Sequence, residues 1–578
     1  MNQEFNQFME LSCLALARLV PEFPTHMGLF EVDGEDIPQN EFTRIDERSV
    51  QDRKNLLESM ARQLRRFPGE SLSDEERLSA DFLSYFTQYV HERGLTGLAG
   101  TELSSNDFLL RPATGLQSEL PIFLSDLHPM RHALDAEDFL ARLKSIAEQM
   151  QEAGNIFVRR KKAGAIPPAF VVDTTLGEIA EFISTPVKEN SVYLALAAKT
   201  VDLPGLDTAA REALLTDAAN ELVKHTYPAY QEVAEVLAFH KDEDLTAPGV
   251  WRLPDGGAWY QFLLQSATTT TLTAAEIHDI GVEETDRLEQ EIIRATRELG
   301  HSVNTITDCH RALDAHKEPS QADTVKNRQA IIDRAEELIF EMRAASEALF
   351  HHLPSGPLEI KVIPRFAEGN RNQSYQPPSL DGSRAGFLEL NLGQLLREPL
   401  FELPILVYHE IYPGHHLQIS LAGEAQHLPS LRRITTFDAY IEGWAKYAET
   451  IPYEYGINTD PRLHVTRLRR ELISTVNLAL DTGIHHKRWS AEQAAEFFQS
   501  HTGLSQEFTD YIILRSAAVP AQMCAYKIGM MKMLALKKRW FHRHGPDADV
   551  RDFHDQVLRH GALPLDLLDR VMESDASH

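Results

Sequence analysis

His409-Glu410-Ile411-Tyr412-Pro413-Gly414-His415-His416 follows directly on the apolar run 403–408 and crowds three histidines and a glutamate together. Zinc hydrolases keep a metal and a general base side by side with the helical pattern H-E-x-x-H. Here proline occupies position 413 and the second histidine comes late. In a straight helix, residues four apart lie about 6 Å apart along the axis and nearly share a face, so two such imidazoles reach one ion. His409 and His415 are six positions apart, which is about 9 Å along the axis and well around it. His416 shares the face of His409 but lies further along. Pro413 offers a resolution: its ring clashes with the carbonyl four residues back, and it has no N–H to donate. Gly414 then tolerates unusual dihedrals. A kink or bulge is therefore expected at 413–414, returning His415 to the side of His409, with His416 as the fallback ligand.

A third ligand has to come from elsewhere in the chain. The best candidate is Glu442 in Tyr440-Ile441-Glu442-Gly443-Trp444-Ala445-Lys446-Tyr447-Ala448-Glu449, a helical segment with Phe437, Ile441, Trp444 and Ala448 on one apolar face. A helical hairpin would lay this segment against 402–420. Two imidazoles and one carboxylate leave a coordination position open and suit a single Zn2+ ion. Glu410 is then the expected general base, taking a proton from the activated water. Glu449, two turns beyond Glu442, is a candidate partner to orient a ligand histidine; a surface salt bridge is the plain alternative.

Composition sets the boundaries of function. A chain of 578 residues is too long for one compact core and long enough for two or three packed lobes. The formal net charge of -29 argues against nucleic acid and against anionic membranes as partners. Cys13, Cys309 and Cys524 are far apart, so neither a disulfide framework nor a cysteine zinc site is expected. Glu4, Glu10 and Arg18 spoil any signal-peptide reading of the first twenty residues. No apolar run is long enough to span a bilayer. The expectation is a soluble, cytoplasmic protein; its oligomeric state is not legible.

Helical periodicity dominates, over 50–92, 134–163, 207–241, 274–299 and 324–353. Thr273 and Glu276 predict a capping box opening the helix from Ala274. The β-branched alternation in 358–364 and the alternation in 386–392 predict two strands, with loop chemistry between them in Pro377-Pro378-Ser379-Leu380-Asp381-Gly382-Ser383-Arg384. A soft boundary at 245–255 divides an N-terminal helical region, 1–250, from a catalytic helical region, 251–578. The second holds the small sheet at about 357–392, and the two are expected to pack as one continuous unit. The fold class is mainly α.

Several stretches together resemble the family known as domain of unknown function 885, which is similar to helical zinc metallopeptidases of the gluzincin type. They are Thr268-Thr269-Thr270-Thr271-Leu272-Thr273 with Glu276-Ile277-His278, the 377–384 loop, Asn391-Leu392 and the 409–418 motif. Glu442-Gly443-Trp444-Ala445, Asp481-Thr482-Gly483-Ile484-His485, and Gln522 with Tyr526-Lys527-Ile528-Gly529 complete the set. The resemblance covers most of 250–540. It implies a multi-helix, metallopeptidase-like architecture with a small β-sheet beside a deep active-site cleft, and zinc-dependent cleavage of peptides or other amides. Two departures stand out. Many members read Pro-Gly-Gln where this chain has Pro520-Ala521-Gln522, and many carry a lipoprotein or secretion signal, which residues 1–20 here are not expected to be.

By resemblance, Tyr526 is the candidate donor to the oxyanion of the tetrahedral intermediate. Asp481 and His485, four apart on a helix, are candidates to support the site or bind substrate, and His486 is read as structural. Arg384 and Arg515 are candidate carboxylate readers; Tyr375 and Gln522 join them as substrate-side candidates. The 386–392 strand is expected to take an extended peptide by edge addition. The sequence thus predicts a zinc-dependent hydrolase of a peptide or small amide substrate. A metal-dependent amidase or deacylase of a non-peptide metabolite, or a non-catalytic helical binding protein with a structural metal, are the alternatives.

Overall fold

Apolar residues at three- and four-residue spacing fold into long helices wherever no proline or glycine intervenes. A computed structural model describes residues 2–92, 108–315, 321–363, 365, 368, 372–397 and 400–574. The 50–92 periodicity becomes two helices, Glu47–Leu64 and Asp74–Glu92, because Pro68 and Gly69 interrupt it. The helix Ala133–Lys162 runs unbroken. The 207–241 stretch holds helices Thr208–Glu221 and Tyr227–His240, joined by a wide turn over Leu222–Thr226 where Pro228 withholds a backbone donor. Thr273 and Glu276 close a reciprocal capping box on the helix Ala274–Glu298. The helix Val325–Ser346 stops before 353 in a tightened turn.

The sheet has three strands: Leu358–Val362, Ser374–Gln376 and Gly386–Leu390. Gly386–Leu390 is the central strand, parallel to the first and antiparallel to the second. It is buried along its whole length, and both of its edges are occupied, so the expected addition of a peptide to this strand has no free edge to use. The strand ends at Leu390 because the Asn391 side chain caps the short helix Leu392–Leu395. Pro364 of the first predicted strand lies outside the described residues.

Apolar side chains gather in separate clusters. One joins Phe5, Phe8 and Phe82 near the N-terminus to Ile405, Tyr440 and Trp444 far along the chain. A second is built within 42–237, around the Ala133–Lys162 helix. A third packs the Ala274–Glu298 helix against Pro461–His485. The three cysteines are buried and free. Among the described residues no helix is long and apolar enough to cross a membrane.

Candidate metal centre

The helix Leu403–Glu410 ends at the histidine–glutamate pair, and a new helix, His415–Glu424, begins after four irregular residues. The interruption is therefore a full break rather than a kink within one helix. Pro413 follows a cis peptide bond, and its carbonyl accepts from Trp444 Nε1 at 2.9 Å. A Cβ at position 414 would stand 1.8 Å from the His409 carbonyl oxygen, so only glycine fits where the chain folds back. The helix Asp438–Ala448 then packs across both pieces and presents Glu442.

This arrangement brings His409, His415 and Glu442 together, with one potential ligand atom from each lying within 4.8 Å of the others. The imidazole rings meet edge to face at 4.8 Å. Glu442 Oε2 lies 3.5 Å from His409 Nε2 and 3.6 Å from His415 Nε2, yet it is buried and hydrogen-bonded to nothing. Those separations are long for hydrogen bonds. They are close to the edge of a tetrahedron around an ion with ligands at roughly 2.1 Å, about 3.4 Å. The donor set thus fits a zinc-sized divalent cation.

Charge tells the same story. Burial alone would depress the His409 pKa, but the carboxylates of Glu442, Glu449 and Glu410 lift it to about 10. Burial also penalises the charged form of Glu442, but the two facing imidazoles hold its pKa well below the usual range. Burial raises Glu410. A bound cation would compensate the carboxylates of Glu442 and Glu410 in this protein-walled site. Behind the cluster, Glu449 accepts from His409 Nδ1 at 2.9 Å, so Nε2 is the nitrogen left facing Glu442 and would give its lone pair to a cation that displaced its proton. Lys446, absent from the sequence-based candidates, grips both Glu449 oxygens at 2.9 and 3.0 Å, and both side chains are buried. The i,i+3 spacing of Lys446 and Glu449 was a visible signal for it.

A cavity of about 500 Å³ reaches the cluster at His409; Glu410, Lys446, Glu449 and Tyr526 also form part of its wall, whereas His415 and Glu442 do not line it. The Tyr526 hydroxyl accepts from Arg515 Nη2 at 3.1 Å, and Arg515 is held in turn by Gln522 Oε1 at 2.6 Å. Arg515 and Gln522 therefore stand behind Tyr526 and are not among the residues lining this cavity.

Other candidates fall elsewhere. His416 turns away from the trio: its Nδ1 meets the Tyr375 hydroxyl at 2.9 Å, and burial lowers its pKa to about 4. Tyr375 is thereby occupied within the protein. Arg384 does not line the cavity; it donates to the His26 carbonyl and tethers the 377–384 loop to the N-terminal segment. Asp481 and His485 do not hydrogen-bond to each other; His485 Nε2 stands 4.0 Å from Asp481 Oδ2. Both are fully buried. Asp481 accepts from Tyr260, Ser516 and the Ala521 amide, and His485 spans Val250 and Ser516. They knit three helices together behind the cleft instead of meeting a substrate. Their helical spacing is the same whether that face looks into a cleft or a core, so the sequence could not tell the two apart.

A mainly helical chain with a small sheet and an inward-facing cluster of two histidines and a glutamate is the class defined here. The chain belongs to the family of bacterial proteins of unknown function DUF885, whose pattern matches residues 21–572. A solved structure described as "the putative lipoprotein from Colwellia psychrerythraea" is similar over 100% of this chain and 99% of its own, with a TM-score of 0.93 and 26% identity. A "putative lipoprotein of unknown function from Shewanella oneidensis" aligns over 98% of this chain and 99% of its own, with a TM-score of 0.70 and 18% identity, a likeness of fold alone. A "putative oligoendopeptidase F from Bacillus anthracis", with a TM-score of 0.27 and 10% identity over 93% of this chain and 96% of its own, is too distant to carry an argument. Among curated proteins none matches.

Proposed function

We propose that this protein is a zinc-dependent hydrolase that cleaves peptide bonds. The observation that carries the reading is the cluster of His409, His415 and Glu442 with an orphaned, buried carboxylate oxygen between two imidazole nitrogens. When bound there, the ion would supply Lewis acidity, acidifying a water and polarising an amide carbonyl. His409 and His415 present Nε2, and Glu449 fixes the tautomer of His409 through Nδ1–H. Lys446 holds Glu449 in that pose. Glu410, adjoining His409 and facing the cavity, takes the proton of the attacking water on its carboxylate and passes it to the departing nitrogen. Arg515 occupies a lone pair of the Tyr526 oxygen, so the Tyr526 O–H is free to donate to the oxygen that gains charge as water adds.

The test pairs metal content with turnover. The wild-type protein should hold one zinc per chain and cleave members of a peptide library. Glu410→Gln should keep the zinc and lose turnover by about 10²-fold or more. Zinc-loaded wild-type protein that leaves peptides intact, or Glu410→Gln protein that turns over normally, would overturn the reading.

A further inference from the structure

Apolar side chains from separate elements meet in the wall of the cavity beside the general base. The helix Leu403–Glu410 contributes Leu406, which shares a face with Glu410 four positions on. The helix Pro461–His485 contributes Ile473. Leu504 and Phe508 come from the turn that opens the helix Gln506–Ala518. Phe508 is 37% exposed, and Leu406, Ile473 and Leu504 are only partly buried against the cores behind them. Apolar side chains scattered over a surface need no explanation, but several converging on one concavity mark a place where apolar matter binds.

The charged groups of the same wall are already engaged. Lys446 and Glu449 hold each other, and Arg469 pairs with Asp314 at 3.4 Å. Glu402 and Arg470 each have a partner within the protein. Lys446, Arg469 and Arg470 are matched by Glu402, Glu410 and Glu449, so the acidic and basic side chains of the wall balance. What is left to act on a ligand is Glu410 and Tyr526 at the end nearest the histidine cluster, and the apolar surface beyond them. Leu406 stands one turn before Glu410, about 6 Å back along the helix axis. An extended peptide advances about 3.3–3.6 Å per residue. A chain with its reacting carbonyl beside Glu410 therefore sets a side chain about one or two residues away against Leu406. A cavity of about 500 Å³ is in the range that encloses a small molecule or a few residues of peptide.

We propose that Leu406, Ile473, Leu504 and Phe508 form a specificity subsite for a bulky apolar side chain within about two residues of the bond to be cleaved. The cleft then prefers residues such as leucine or phenylalanine at that place over small or charged ones. A charged side chain entering the subsite would lose its water and find no free partner. This assignment rests on the hydrolase reading for what happens to the bound peptide, but binding itself is measured without turnover.

The probes are acetylated, amidated alanine pentapeptides whose central residue is alanine, leucine, phenylalanine, glutamate or lysine. With a single guest residue, each peptide can slide to the register that seats it. Zinc-loaded Glu410→Gln protein is titrated with all of them. The leucine or phenylalanine peptide should bind about tenfold or more tighter than the all-alanine one, the gain expected from added methylenes in an apolar pocket. The glutamate and lysine peptides should bind no tighter than alanine. Adding Phe508→Glu, or Ile473→Thr, which keeps the branched shape but brings a hydroxyl, should cut the apolar preference several-fold while zinc content stays unchanged. Phe508→Ala is the milder change should the glutamate disturb folding, and it should lower the preference in the same direction. Equal binding of all the peptides, tightest binding of a charged guest, or an apolar preference that survives these changes would overturn the subsite. If wild-type protein cleaves the peptides without regard to the guest and they bind alike, the subsite fails while the hydrolase stands. If the apolar preference is present but no peptide is cleaved, the subsite stands and the hydrolase reading fails.

Discussion

Replacing Gly443 by alanine tests how the catalytic groups are set apart. Gly443 follows Glu442 on the helix Asp438–Ala448, and Gly529 lies one turn beyond Tyr526 on the helix Cys524–His544. A Cβ at 443 would stand 2.4 Å from the Cα and carbonyl carbon of Gly529, and one at 529 would stand 1.9 Å from the Ala439 carbonyl oxygen. Carbon atoms in ordinary contact sit about 3.5 Å apart, so the two helices must part by roughly 1 Å. The obstacle is backbone, which has no rotamer to change. Overpacking of this kind costs about 1–3 kcal/mol. For a chain of 578 residues, unfolding entropy of about 2.1 cal/mol/K per residue sums to roughly 1.2 kcal/mol/K, so a cooperative unfolding transition would fall by only about 2 °C. The effect on rate is larger, because a misplacement of about 1 Å between reacting groups can cost about 10²-fold. Gly443→Ala should therefore melt near the wild type in calorimetry yet lose about two orders of magnitude in kcat/KM on a peptide substrate. Gly257→Ala, with open space around the new methyl group, is the matched control and should change neither. Wild-type activity in Gly443→Ala would refute the claim that this glycine contact sets the distance between Glu442 and Tyr526.

Three further predictions concern support and stability. Lys446→Met and Glu449→Gln should each weaken zinc binding by about 10–100-fold in a chelator competition, because the His409 ring loses its anchor; unchanged affinity in both would remove the relay. Ala521 has φ of 72°, a left-handed conformation that strains any residue with a Cβ. Ala521→Gly should therefore raise the denaturation midpoint slightly, by about 0.5 kcal/mol after the added flexibility of the unfolded chain, while the β-branched Ala521→Val should lower it by more than about 1 kcal/mol. Burial alone would raise Glu471, but Lys527 and Arg467 hold its pKa at about 2. A folded-state pKa depressed this way adds stability above the ordinary carboxylate range, on the order of 3 kcal/mol, which fades as pH falls from about 4.5 toward 2. Urea midpoints across that window should show Glu471→Gln well below the wild type at neutral pH and converging on it in acid; a constant gap would contradict the linkage.

The residues of the candidate centre were legible because their chemistry is written locally. A histidine beside a glutamate, a proline and glycine just after them, and a glutamate on an amphipathic helix each declare themselves within a few positions. The long helices, the capping box at Thr273 and the two strands at 358–362 and 386–390 were legible for the same reason, periodicity and capping being short-range properties, whereas the short strand Ser374–Gln376 was missed. What a short window cannot contain is the face that each element turns to its neighbours. Asp481 and His485 show a helical spacing as suggestive as any, yet that face meets Tyr260 and Ser516 in the core. Arg384 lies in a loop with the right chemistry but docks on His26, and Gly386–Leu390 alternates as an edge strand might but takes the middle of the sheet. Local pattern determined which side chains could do chemistry. Packing between helices hundreds of residues apart decided which of them share a space, since burial and approach depend on every element that closes around them.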